Sequence, residues 1–313
     1  MKRNIDKYTL KKNFNKGLAL VFKYIFLLSI SYIVIFQIVY MISYAVRPDS
    51  QMYDPSIVWI PKSISLENFK TAIKAMDFYS AALTTVTVHV ISGIIEIFSC
   101  AIAAYGFARF NFPGKNLAFT MVLITILVPS QMISVPMYLS YANFDLLGIL
   151  GGISKLAGSE LRPNLLDTGF VFYLPSIFGV GLRSGLFIFI YRQFFKGLPK
   201  ELEEAAYIDG ANAFKTFTSV IWPSSGVAVI TVAIFSVIWH WNEYYLSILY
   251  FTEHYPLSVK LSQIGQGIAE MSGTDSRGIR MAGCLMFALP MLIMYTILQK
   301  KFVASIDRVG IVG

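Results

Sequence analysis

Residues 203–223 read EEAAYIDGANAFKTFTSVIWP, a charged, small-residue-rich stretch inside a strongly apolar chain. Pro199, just before it, suits the first turn of a helix, where a missing N–H is no loss. Glu201, Glu203 and Glu204 follow and place acids at the positive end of the helix dipole. Ala205 and Ala206 are good helix formers, and their short side chains let another surface come close. Tyr207 and Asp209 lead to Gly210, which permits a backbone turn that most residues resist. A second short helix, carrying Phe214 over about 211–219, then runs into the next apolar stretch, with Pro223 in its first turns. Segment 199–219 is therefore expected to be two short helices at an angle, acidic at one end and small on one side.

The surroundings of this segment set the fold class. Of 313 residues, 56% are hydrophobic and 14% charged, against about a quarter charged in soluble domains. The mean hydropathy is +0.61. A span needs about 20 apolar residues to cross roughly 30 Å of hydrocarbon, and six stretches qualify: about 18–46, 79–108, 116–141, 170–195, 219–242 and 281–299. The first is too long and too rich in large residues to be a cleaved signal peptide. The expectation is an all-α, polytopic membrane protein with six transmembrane helices. Its domains would be a basic tail at 1–17, a transmembrane domain at 18–302 and a C-terminal tail at 303–313. Prolines 129, 136, 175 and 290 predict broken or kinked spans, whose freed backbone groups must be satisfied inside the protein or in a wet cavity.

A net charge of +8 invites a nucleic-acid reading, but the positions of the charges argue against it. Sixteen of the 26 basic residues fall in four places: before or at the start of the first span, at Arg109 and Lys115, around 192–215, and after the sixth span. All four lie on one side of the predicted topology, which the positive-inside rule makes cytoplasmic. Both termini and segment 199–219 are thus expected inside, in contact with membrane lipid and with no nucleic acid. Cys100 and Cys284 both fall in apolar spans and read as buried small hydrophobes, giving neither a disulfide framework nor a metal site. No G-x-x-x-x-G-K-[ST] string occurs, so no nucleotide site of the P-loop kind is expected in this chain.

Glu204-Ala205-Ala206, Gly210 and the closing Val220-Ile221-Trp222-Pro223 resemble the EAA loop of bacterial ATP-binding-cassette (ABC) importer permeases, with Trp222 where that family usually has leucine. The resemblance extends to Ala103–Arg109 with Phe112-Pro113-Gly114, to Phe187–Phe189 with Arg192–Phe195, and to Trp241-Asn242-Glu243. It covers most of residues 64–300 and is similar to the carbohydrate branch, the maltose-type inner-membrane subunit. Two departures are a longer loop at 142–169 and a different tail at 303–313. The resemblance implies a non-catalytic permease subunit of an importer in a bacterial cytoplasmic membrane. It also implies a second homologous permease, two ATPase subunits that bind ATP and Mg, an extracytoplasmic solute-binding protein and a carbohydrate substrate. Glu203, Glu204, Ala205, Ala206, Tyr207, Asp209, Gly210, Phe214 and Pro223 would form the ATPase-coupling element. The EAA loop alone also allows a permease for polyamine, phosphate or amino acid.

Polar residues at membrane depth cost roughly 2.5–3.5 kcal/mol each on insertion scales when charged, so the few present are candidates for the substrate path. His89 and Glu96 stand two helical turns apart on one face, with Gly93 between them, and should look into the protein or a water-filled route. Arg183, between Gly181 and Gly185, either pairs with Glu96 or a partner's acid, or lines that route. Trp241, Asn242 and Glu243 belong to the densest aromatic and polar cluster. They read either as interfacial belt or as a surface for a sugar or a binding protein. An ion-coupled secondary transporter with His89, Glu96 and Arg183 as a relay is the rival from another class.

Overall fold

The computed structural model describes residues 7–57, 59–146, 148–157, 162–272 and 277–310. Residues 1–6 of the expected basic tail and 311–313 of the expected C-terminal tail lie outside them. Among the described residues every regular element is helical, as the composition and the apolar spans require. The chain packs as two compact units, one of Met1–Lys74 with Gly265–Met286 and one of Ala75–Ile264 with Phe287–Gly313.

In the first unit, a proline-broken loop leads from α1 (Lys7–Ala45) to α2 (Glu67–Ala75), and the unit also takes in the start of the final helix. A helix leaves its last four carbonyls without partners. Here buried Asn68 of α2 supplies them: its Nδ2 donates to Ala45 O at 3.1 Å and to Arg47 O at 2.8 Å. Arg47 is buried as well, its guanidinium 4.2 Å from the Tyr44 ring centroid and donating to Ser43 Oγ. Ser65 Oγ accepts the Glu67 N–H at 3.2 Å at the start of α2. The α1 helix is unbroken from Lys7, so the boundary expected at residue 17 falls inside a helix.

The second unit is built on α3 (Phe78–Arg109), a 32-residue helix with a π-helical stretch at Thr85–Val90. α4 (Lys115–Leu127) and α5 (Ser130–Ala142) follow and are bent by 101° at extended Val128 and Pro129. α6 (Ile149–Ala157) lies in the long loop. The stretch expected as span four is two helices, α7 (Phe170–Ile177) and α8 (Ser184–Gly197). They are parted by a turn with Gly179 at φ 66° and Arg183 at φ 61°. α9 (Glu201–Ile208) and α10 (Ala213–Ser224) come next, then α11 (Gly226–Trp241), bent 82° from α10. α12 (Tyr245–Tyr250), α13 (Leu257–Ser262) and α14 (Ile264–Ser272) precede α15 (Arg277–Gly310). The boundary expected at residue 302 again falls inside a helix.

Among the described residues three helices are long and apolar enough to cross a membrane, Asn15–Ala45, Phe78–Arg109 and Arg277–Gln299, or up to five counting each bent pair as one span. The expected span left out of that count is the fourth, the interrupted α7–α8 stretch. Its continuous hydropathy hides a turn that Pro175 and the left-handed residues impose. The prolines divide in their effect: Pro129 sits at a sharp break and Pro175 two residues from a helix end, whereas Pro136 and Pro290 lie within helices.

The core of this unit is where α3, α8 and α11 meet. Cys100, Ala101, Ala104, Phe187, Tyr191, Phe195, Ile221 and Val232 pack there, most of them fully buried. Small residues on α3 let the larger rings of α8 approach. Gly185 marks the tightest crossing, since a Cβ there would stand 2.5 Å from Thr125 Oγ1 and 2.9 Å from Val122 O.

Candidate functional site: the helix pair at 201–224 and the buried polar cluster

The acidic helix α9 ends at Gly210 in a left-handed residue at φ 79°. The Gly210 N–H donates to Tyr207 O at 3.0 Å and the Ala211 N–H to Ala206 O at 2.9 Å. That is the paired 5→2 and 6→1 arrangement of a Schellman cap. Two residues on, Asn212 Oδ1 accepts the Lys215 N–H at 2.9 Å and caps α10. One glycine and one asparagine thus close one helix and open the next, giving the angled pair a short, defined elbow. The second helix extends beyond the expected end near 219, and the break comes at Ser225, after Pro223, so Pro223 closes α10 rather than opening the span. Buried Ser225 donates its hydroxyl to Ile221 O at that break.

The segment has an inner and an outer face. Glu203 and Ala206 are buried, while Glu204, Ala205, Tyr207, Asp209 and Gly210 are exposed. Ile208 is 87% and Phe214 67% exposed, unusual for apolar side chains beside a charged loop. Glu203 Oε1 lies 2.7 Å from Arg109 Nε in a nearly buried ion pair, and Arg109 Nη2 also donates to Leu198 O at 2.8 Å. Of the residues expected in the coupling element, Glu203 thus lies on the inner face and Glu204 on the outer one. A carboxylate one helical turn from Ala206 points at the end of α3, and its charge is spent on Arg109. Trp222 stacks on Phe98 with ring centroids 4.9 Å apart and also meets Phe217 and Tyr191. The indole thereby fixes the far end of α10 to the core.

His89 and Glu96 are both fully buried on α3. The Glu96 carboxylate accepts the Ser184 hydroxyl and lies 3.4 Å from His240 Nε2. His240 Nδ1 is 2.9 Å from Ser236 O, and Ser236 Oγ donates to Gly93 O at 3.1 Å. His89 Nε2 is 3.1 Å from Ser247 Oγ, and its ring lies edge-on to Phe172 at 4.6 Å. Of the alternatives open to Arg183, the pair with Glu96 does not form among the described ion pairs. Arg183 is exposed in its left-handed turn, with its guanidinium 5.7 Å from the Trp239 ring centroid. The neighbouring Ser184 reaches Glu96 instead. Sequence reasoning missed His240, Ser184, Ser236 and Ser247. The available signal was Ser236 and His240 four residues apart on one helical face, opposite a glycine that admits them.

Trp241 is buried and donates Nε1–H to Phe287 O at 3.1 Å. Asn242 is exposed and turns back to Ile238 O. Glu243 is half-buried and accepts the Leu246 N–H at 2.7 Å, starting α12. Of these three only Asn242 presents an open surface, so the Trp-Asn-Glu string is largely a helix-end device.

The family model for the binding-protein-dependent transport system inner membrane component matches residues 97–308. The chain belongs to that family. The matched permease region holds the whole helix pair and the Arg109–Glu203 anchor, and begins one residue after Glu96. The permease is 29% identical over 275 residues to the osmoprotective compounds uptake permease protein GgtD of Synechocystis sp., covering 84% of this chain and 82% of that one. It is 27% identical over 291 residues to the polygalacturonan/rhamnogalacturonan transport system permease protein YtcP of Bacillus subtilis, covering 89% and 93%. A solved bacterial ABC transporter involved in import of the acidic polysaccharide alginate has the same fold. It aligns with TM-score 0.71 and 18% identity over 92% of this permease and 98% of that chain.

Proposed function

We propose that this permease is one half of the translocation path of an ATP-driven importer for a carbohydrate or oligosaccharide. The observation that carries the coupling part is the two-sided helix pair. Arg109–Glu203 and Trp222 fix its inner face, while Glu204, Ala205, Tyr207, Ile208 and Phe214 are presented outward. An acid, a small-residue gap and apolar anchors on a rigid elbow suit a groove on another protein. That protein is a partner ATPase, which binds ATP and Mg; closing of the ATPases moves the elbow, and the pull passes through Arg109 to α3. Residues 18–302 form the transmembrane domain, with segment 199–219 and both termini cytoplasmic and α7–α8 the broken fourth of six spans. A second permease and an extracytoplasmic binding protein complete the assembly. The carbohydrate class rests on the substrates for which the polygalacturonan/rhamnogalacturonan permease and the alginate importer are named. His89, Glu96, Arg183 and Asn242 remain the residues assigned to the path, of which only Arg183 and Asn242 are exposed.

The test is isolation of the permease from its native membrane in mild detergent, with mass spectrometry of what accompanies it. A P-loop ATPase and a second six-span chain are expected, and Glu204→Lys should release the ATPase while the permease still inserts. A chain that comes down alone, or a Glu204→Lys variant with normal ATPase association and transport, would sink the docking role.

A further inference from the structure

An open recess of about 400 Å³ lies between the α3–α4 turn and the end of α8. That is within the roughly 300–1,000 Å³ usual for small-molecule sites. Its lining brings together Lys115, Arg192 and Lys196 with the amides of Asn111 and Asn116, and includes no acid. None of the three cations has a carboxylate partner among the described ion pairs. Arg192 is nine-tenths buried. Its Nε donates to Phe107 O at 3.2 Å and its guanidinium covers the Phe119 ring at 3.7 Å, so the charge is held in place rather than free to swing into water. Lys115 Nζ is fixed too, donating to Phe110 O at 2.6 Å. Gly114, at φ 78°, turns the chain so that α4 starts at the recess. The first N–H groups of a helix lack intrahelical partners and carry its positive end.

Three gathered cations, two of them held by backbone carbonyls, form a site for an anion. One rim of the recess is apolar: Leu117 is 63% and Phe112 42% exposed. A small hydrated anion gains nothing from such a rim, whereas an acyl chain does. We propose that this recess binds the phosphodiester headgroup of an anionic lipid, with the chains running along Leu117 and α4. Basic pockets between spans on the cytoplasmic side are where such headgroups are attracted. The proposal rests on the inward orientation given above to the α3–α4 turn. Its consequence is that lipid composition acts next to the coupling element, because α8 leads directly through Leu198 into α9.

The test uses the complex isolated from membranes, exchanged into nanodiscs or detergent with phosphatidylglycerol, phosphatidylcholine or inorganic phosphate, and read by native mass spectrometry. Wild type should retain phosphatidylglycerol over phosphatidylcholine. Lys115→Gln and Lys196→Gln should each weaken retention about fivefold, and Lys70→Gln, which lies on α2, should not. Arg192 is left intact because it also holds the α3 carbonyl. Equal retention by wild type and the Lys115→Gln/Lys196→Gln double variant would overturn the site. Displacement of the lipid by millimolar inorganic phosphate would assign the recess to a free anion and overturn the lipid. Loss of a co-purifying protein from the double variant, with lipid retention unchanged, would make it a protein contact instead. Asn116→Cys labelled by an impermeant maleimide from the cell exterior would overturn the orientation, while leaving the binding measured in detergent as it stands.

Discussion

Arg109 and Glu203 meet at 2.7 Å with about nine-tenths of each side chain buried, tying the end of α3 to the first turn of the acidic helix. Removing one member of a buried pair leaves the other uncompensated, at a cost of about 3–5 kcal/mol. Arg109→Ala also deprives Leu198 O of its donor. We expect Arg109→Ala and Glu203→Ala each to lower the thermal midpoint of the purified permease and to detach the helix pair from α3. Arg109→Met/Glu203→Leu, which removes both charges, should recover much of the midpoint. If ATPase activity is then stimulated by substrate as in wild type, the pair holds the fold but carries no coupling force.

Gly210 separates two explanations of the elbow. A Cβ built there meets nothing within 4 Å, so within this chain a side chain is penalised only by the left-handed backbone at φ 79°. That conformation costs an ordinary L-residue about 1–2 kcal/mol, and Asn accepts it more readily. Gly210→Val should lower stability by about that amount and Gly210→Asn by less. Should Gly210→Asn keep the melting temperature but lose ATPase association, the space above Gly210 belongs to the partner.

How much of this was legible in the sequence follows from how local each feature is. The elbow was readable because Gly210 and the acids of α9 act within one or two turns of chain. Which acid turns inward was not, because Glu203 and Glu204 have the same propensities and only Arg109, far away in sequence, distinguishes them. Span four reads as continuous because Leu182 and Phe178 keep hydropathy high through a turn set by backbone angles at Gly179 and Arg183. The partners of Glu96 were not legible for a related reason. Arg183 carries the obvious complementary charge, yet its left-handed turn leaves it exposed and hands the contact to Ser184.

Two glycines on neighbouring helices should respond oppositely to the same substitution. Gly185→Ala would place a methyl 2.9 Å from the backbone oxygen of Val122, which cannot move without shifting α4 against α8. Overpacking of this kind costs about 1–3 kcal/mol. Gly106, inside the α3 helix, has open space for a methyl, with no atom within 4 Å of where its Cβ would stand. Replacing a helical glycine by alanine gains up to about 1 kcal/mol. Thermal unfolding in one detergent should therefore show Gly185→Ala below and Gly106→Ala at or above wild type. A Gly185→Ala midpoint equal to wild type would mean the α4–α8 crossing is looser than the structure has it.

Asp167, in the loop before α7, sets the last expectation. It stands in a left-handed turn at φ 61°. Its Oδ1 accepts the N–H groups of Thr252, Glu253 and His254, and its Oδ2 lies 3.0 Å from His254 Nδ1. Partial burial pushes its pKa up, but the three amides and the imidazole outweigh that and leave it below the usual carboxylate value. A carboxylate with a depressed pKa contributes stability that is present above the ordinary Asp pKa of about 3.9 and lost as pH falls through the folded value. Asp167→Asn keeps a residue that tolerates the left-handed turn and removes only the charge. Hydrogen exchange at amides 252–254 should be faster in Asp167→Asn than in wild type at pH 7, and the gap should begin to narrow below about pH 4 and close as the pH falls through the lower folded value. A gap that persists unchanged at low pH would mean the turn geometry, and not the ionised carboxylate, clamps the two loops together.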